Sequence, residues 1–100
     1  MRFYKDLYTG KNAQKKINKI RNNIVCGKIQ SGVYVICLAA GKDDLLDIMP
    51  SYMLFASRYK EVQILGVAVS KQEALEVGRM IITDVYEKTG SFDVRAYFSS

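Results

Sequence analysis

The clearest hydrophobic pattern in the chain runs from Glu61 to Phe98 and reads as strand, helix, strand. Val62 and Ile64 alternate with polar neighbours, then Leu65, Val67 and Val69 make the run almost wholly apolar, the pattern of a strand over 61–69 buried on both faces. Ser70 stops it and, with Glu73 three residues on, forms a capping box: the serine hydroxyl accepts from the Glu73 amide, and the glutamate reaches back to the amide of Ser70. Behind the cap, Ala74, Gly78, Ile81, Ile82 and Val85 share one helical face, and Gly90 can take the left-handed conformation that ends the helix of 71–89. Over 91–98, Phe92, Val94, Ala96 and Phe98 alternate with Asp93, Arg95 and Tyr97, which predicts a strand with one solvated face.

The same reading carries back to the N-terminus. Residues 1–10 form an arm bearing Phe3, Tyr4, Leu7 and Tyr8, whose spacing suits either a short helix or an extended segment folded on the core. Ala13, Ile17, Ile20 and Ile24 recur at steps of four, three and four, predicting an amphipathic helix over 11–28. The apolar, β-branched run 33–39 is a strand, 44–49 its hairpin partner, and Pro50 interrupts the ladder. The segment 51–60 reads as a short helix with Met53, Leu54 and Ser57 inward, a strand being the competing assignment. The expected fold is one α/β (α+β) two-layer domain over 1–100, a mixed four-stranded sheet with helices mainly on one face, in the order αββαβαβ. The other sheet face then lies open, and an apolar open face on a domain of 100 residues predicts a homodimer.

Composition narrows the function classes more than it names one. Hydrophobic residues at 49% and charged residues at 25% are globular values. No run of eighteen apolar residues occurs, and MRFYKDLYTGK lacks the apolar core of a signal peptide, so the expected location is the cytoplasm, with no membrane partner. Cys26 and Cys37 are too few for a disulfide framework and read as free thiols. The chain has no histidine, which weighs against most metal sites and against triad catalysis; no catalytic residue, metal or cofactor is assigned, and an enzyme would have to be built from carboxylates, tyrosines and lysines.

Charge adds the sharpest chemical hint. Residues 1–30 carry eight basic residues against the single acid Asp6, whereas 31–100 carry seven basic and nine acidic. Lys11, Lys15 and Lys19 stand one turn apart on the predicted helix, with Lys16 and Arg21 beside them, a row that could meet nucleic-acid phosphates while the arm's tyrosines offer stacking surfaces. Lysine is also what solvated helix faces ordinarily carry. Ser70 and Lys71 open a helix after a strand, but Gly66 lies within the strand and Gly78 within the helix, so neither glycine-rich phosphate motif is present and both glycines mark close packing. Asp43, Asp44 and Asp47 cluster in a turn with no calcium-loop spacing.

At GVAVSKQEALE (66–76) and VYEKTGSFDVRAYF (85–98) the chain resembles a group of small bacterial proteins of about this length with no assigned activity. That resemblance implies a recurring fold and brings no functional residues. The expected role is a non-enzymatic protein-interaction or self-association module, with Tyr34, Tyr52, Phe55 and Tyr97 as candidate interface residues. The alternative is a nucleic-acid-binding accessory protein using Lys11, Lys15, Lys16, Lys19 and Arg21.

Overall fold

The computed structural model describes residues 2–38, 45–56 and 61–99. Strand β1 (Arg2–Thr9) leads into two short helices, α1 (Lys11–Gln14) and α2 (Ile17–Val25). Strands β2 (Tyr34–Leu38) and β3 (Leu46–Pro50) follow, then a 3-10 turn over Ser51–Phe55, strand β4 (Gln63–Ala68), the long helix α3 (Lys71–Thr89) and the short α4 (Val94–Ser99). The sheet order is β1-β4-β2-β3, with β1 parallel to β4 and the other neighbours antiparallel. This is the mixed four-stranded α+β domain that the apolar pattern predicts, with most of the helical residues, those of α3 and α4, on one side and the short α1 and α2 on the other.

Two terminal segments exchange the expected roles, and the strand count survives because they do. The stretch read as a C-terminal strand is helix α4, and the N-terminal arm is the fourth strand. Val94 and Phe98 are the residues that α4 buries. Four apart, they lie on one face of a strand and equally on one face of a helix, so their spacing does not separate the two. In β1 the register jumps between Phe3, opposite Ile64, and Tyr8, opposite Gly66. Lys5 and Asp6, within that irregular stretch, are exposed, which interrupts the apolar pattern on both faces of the strand.

The opposite sheet face is not bare. Val35, Cys37, Met49, Ile64 and Val67 meet Ala13, Ile20 and Ile24 of α1 and α2, with Phe3 and Leu7 closing the edge. On the α3 side, Ile36, Leu65 and Ala68 pack with Ala74, Val77, Ile81, Val85, Val94 and Phe98. A register shift in the β2–β4 pair lets Leu65 and Gly66 both turn toward α3. Gly66 is required there, since a Cβ would stand 2.8 Å from Val77 Cγ1 and 3.1 Å from the Tyr8 carbonyl. At Gly78 a Cβ would meet Ile48 Cδ1 at 3.3 Å, so both glycines do mark where α3 presses on the sheet.

Candidate functional site

The basic segment is built differently from the single helix expected over 11–28. The helix ends at Gln14, Lys15 and Lys16 form a turn, and α2 begins at Ile17. Lys16 precedes α2 with φ −123° and ψ 16°, out of the helical range, because the chain must bend to set Ala13 and Ile20 into the same core. Lys11, Lys15, Lys16, Lys19 and Arg21 are all exposed. They do not form one row. Lys11 opens α1 and Lys15 caps its end, while Lys16 and Lys19 share the wall of a groove of about 250 Å³ that is completed by Gln30, Ser31 and Gly32. Lys15, Lys16 and Lys19 also flank an adjoining groove of about 280 Å³ with Gln14 and Asn18. Arg21 leaves the group: its guanidinium lies 4.9 Å from the centre of the Phe3 ring, on the β1 side of α2.

The tyrosines of β1 are not available to that face. Tyr4 and Tyr8 project toward α3 and α4, stacked on each other at 6.3 Å and set edge-on to Phe98 at 5.0 and 6.4 Å. Tyr8 Oη donates a short hydrogen bond to Asp84, and Lys88 Nζ pairs with the same carboxylate at 3.2 Å. Burial first, and then the Asp84 carboxylate, raise the Tyr8 phenol pKa. The Tyr8 hydrogen bond, aided by Lys88, lowers that of Asp84. Tyr4 is raised mainly by burial, and Lys88 by its bond to Asp84. A phenol pushed further from neutrality is poorly matched to acid–base work, and the cluster suits fastening β1 to α3.

A shallow groove of about 610 Å³ runs along this side of α3, lined by Tyr8, Glu76, Arg79, Met80, Asp84 and Glu87 among others. Its lining includes Asp84 but neither Asp47 nor Tyr34, and Lys60 lies outside the described residues. Asp43 and Asp44 also lie outside them, and among the described residues no cluster of three metal-ligating side chains occurs. Cys37 is buried and its thiol is pushed up to about 12 by burial; Cys26 is exposed. No described helix is long and apolar enough to cross a membrane.

At the start of α3 the capping box is half as expected. Ser70 Oγ accepts from the Glu73 amide at 3.0 Å. The Glu73 carboxylate passes over Ser70 and accepts from Val69 N at 3.1 Å, Ala13 N at 3.3 Å and Asn12 N at 3.1 Å. One buried carboxylate therefore serves the first amides of α1 and the entry to α3. Gly10 makes room for it, since a Cβ there would fall 2.1 Å from Glu73 Cδ.

The four candidate interface residues are dispersed. Tyr34 is half-buried in the α3-side core, and Tyr97 packs edge-on to Phe98 at 4.9 Å within α4. Tyr52 and Phe55 are exposed on the 3-10 turn, whose Met53 and Leu54 face inward. The pattern did not single out the outer flank of α3. Leu75, Ile82 and Tyr86 stand at steps of seven and four along the flank that includes Gly78, over β3, and Phe92 stacks on Tyr86 with ring centres 4.6 Å apart. Leu75 and Tyr86 lie off the buried stripe and are exposed, whereas Ile82, on that stripe in the sequence pattern, is half-buried against the α3-side core. Comparison of the chain with protein families, curated proteins and solved structures gave no match.

Proposed function

We propose that the protein is a non-enzymatic self-association module, a symmetric dimer formed through the edge of β3 and the adjoining flank of α3. The observation that carries this is the exposure of large apolar side chains beside an outer strand: Leu75 53%, Tyr86 48%, Phe92 53% and Leu45 41%. Solvated helix faces rarely present such a group together. β3 is the terminal strand of the sheet among the described residues, so half its backbone groups face away from β2.

Antiparallel pairing of β3 with its copy has a two-fold axis perpendicular to the sheet, which keeps α3 of both protomers on one face, flank to flank. Pro50 lacks an amide hydrogen and closes the strand, so the ladder is short and the apolar flank must supply most of the energy. Four half-exposed side chains of roughly 150–200 Å² each offer roughly 300–400 Å² per protomer. With the edge of the five-residue strand added, this is roughly 400–500 Å² per partner, the size of a weak interface, below the ~800 Å² of a standard one.

Light scattering tests it. The expected result is a particle of twice the 11.3 kDa chain mass that persists at about 0.5 M salt, because burial of apolar surface is not screened. Leu75→Asp with Tyr86→Asp, both exposed, should give a folded monomer. A wild-type monomer at high micromolar concentration would end the proposal.

A further inference from the structure

The basic α1–α2 face plays no part in this dimer. We infer that it binds the phosphate backbone of nucleic acid, without reading sequence. From Lys11 to Ser31 the chain has six cations (Lys11, Lys15, Lys16, Lys19, Arg21, Lys28) and no carboxylate. The fold keeps that imbalance. Ala13, Ile20 and Ile24 turn into the core, leaving lysine, asparagine and glutamine outward. Glu73, the carboxylate that reaches α1, is turned inward onto the amides of Asn12 and Ala13 and is buried.

The break at Lys15–Lys16 concentrates charge. It places Lys15, Lys16 and Lys19 around two adjoining grooves, of about 280 and 250 Å³, in place of a single helical row. Lys11, Lys15, Lys16 and Lys19 offer the backbone four cations, one for each of about four phosphates. Because Tyr4 and Tyr8 are committed to the opposite side of the sheet, base stacking by the arm is absent from the recognition, and a duplex backbone is the better fit than a stacked single strand.

This surface is independent of the apolar flank, which lies across the sheet. In the proposed dimer, two such faces would lie on the same side of the extended sheet, so a long duplex would bind with avidity; that clause alone rests on the dimer.

The test is fluorescence anisotropy with a labelled duplex of about 20 base pairs, with anionic vesicles containing about a third phosphatidylserine as the competing surface. Four phosphate contacts predict an affinity falling roughly 150-fold between 50 and 200 mM salt. Lys15→Glu/Lys16→Glu/Lys19→Glu should abolish measurable binding, and Arg21→Glu, on the other flank of α2, should change it less than about threefold. If the triple reversal unfolds by circular dichroism, the Lys→Gln triple serves, with the salt slope expected to fall by about 2 to 3. The Leu75→Asp/Tyr86→Asp monomer should still bind, which separates failure of this inference from failure of the dimer. Unchanged binding by the triple variant, binding indifferent to salt, or capture by vesicles without capture by duplex would overturn it; Val25 and Ile29, exposed beyond the lysines, make the vesicle arm necessary.

Discussion

Replacing Glu73 by Gln tests how this domain joins its two helical layers. The carboxylate accepts from three backbone amides, two of them in α1 and one at the end of β4, and is only 7% exposed. Glutamine keeps the shape but turns one acceptor oxygen into a donor. Its remaining oxygen can hold Val69 N and Ala13 N only if the new NH2 faces the Asn12 amide, donor against donor. At least one charge-assisted bond is lost, about 1.5–3 kcal/mol. The favourable placement of a negative charge at the start of α3 adds about 0.3–1 kcal/mol. The sum is roughly 3 kcal/mol, which for a chain of this size lowers Tm by roughly 12–24 °C. Urea unfolding followed by far-ultraviolet circular dichroism should show the midpoint fall with an unchanged m-value. Hydrogen exchange should quicken first at Asn12 and Ala13. A loss below about 0.5 kcal/mol, the range of an ordinary surface change, would refute the reasoning and mean that water serves those amides.

Two further outcomes follow from the cysteines and from the Tyr8–Asp84 pair. A thiol reagent should titrate Cys26 at once and Cys37 only as the domain unfolds, because burial holds the latter's pKa near 12; equal rates at both would contradict the β2 assignment. Asp84 is lowered below its usual value in the folded state, so its contribution is present above the unfolded carboxylate range and is lost as pH falls through the folded value. Asp84→Asn should therefore cost stability at pH 7 and flatten the loss on going to pH 3, measured by urea unfolding at both; an unchanged pH profile would show that the Tyr8 bond is inert.

Most of the sheet and the long helix were legible because their residues carry one period each. Tyr34–Leu38 and Gln63–Ala68 have apolar side chains on both faces, and α3 is bounded by Ser70 and by Gly90 at φ 73°. The termini were not legible, for a common reason: Phe3/Leu7, Tyr4/Tyr8 and Val94/Phe98 are spaced by four, which fits either element, and tertiary contacts decide. In β1 the two pairs go to opposite faces, as the two-residue alternation of a strand requires. The basic residues were identifiable from charge alone, but their grouping was not. The bend at Lys16 and the Phe3–Arg21 contact are set by core packing that no local pattern shows. Glu73 was read as a local cap, since its partners in α1 lie 60 and 61 residues away.

The most direct measurement of the central proposal is hydrogen exchange at the amides of Leu46–Met49, resolved by residue, across a concentration series. A dimer paired through β3 predicts that those amides not bonded to β2 are protected at high concentration, lose protection on dilution, and are unprotected at every concentration in the Leu75→Asp/Tyr86→Asp variant. Rapid exchange of those amides at all concentrations in the wild-type chain would contradict it and leave β3 a free edge.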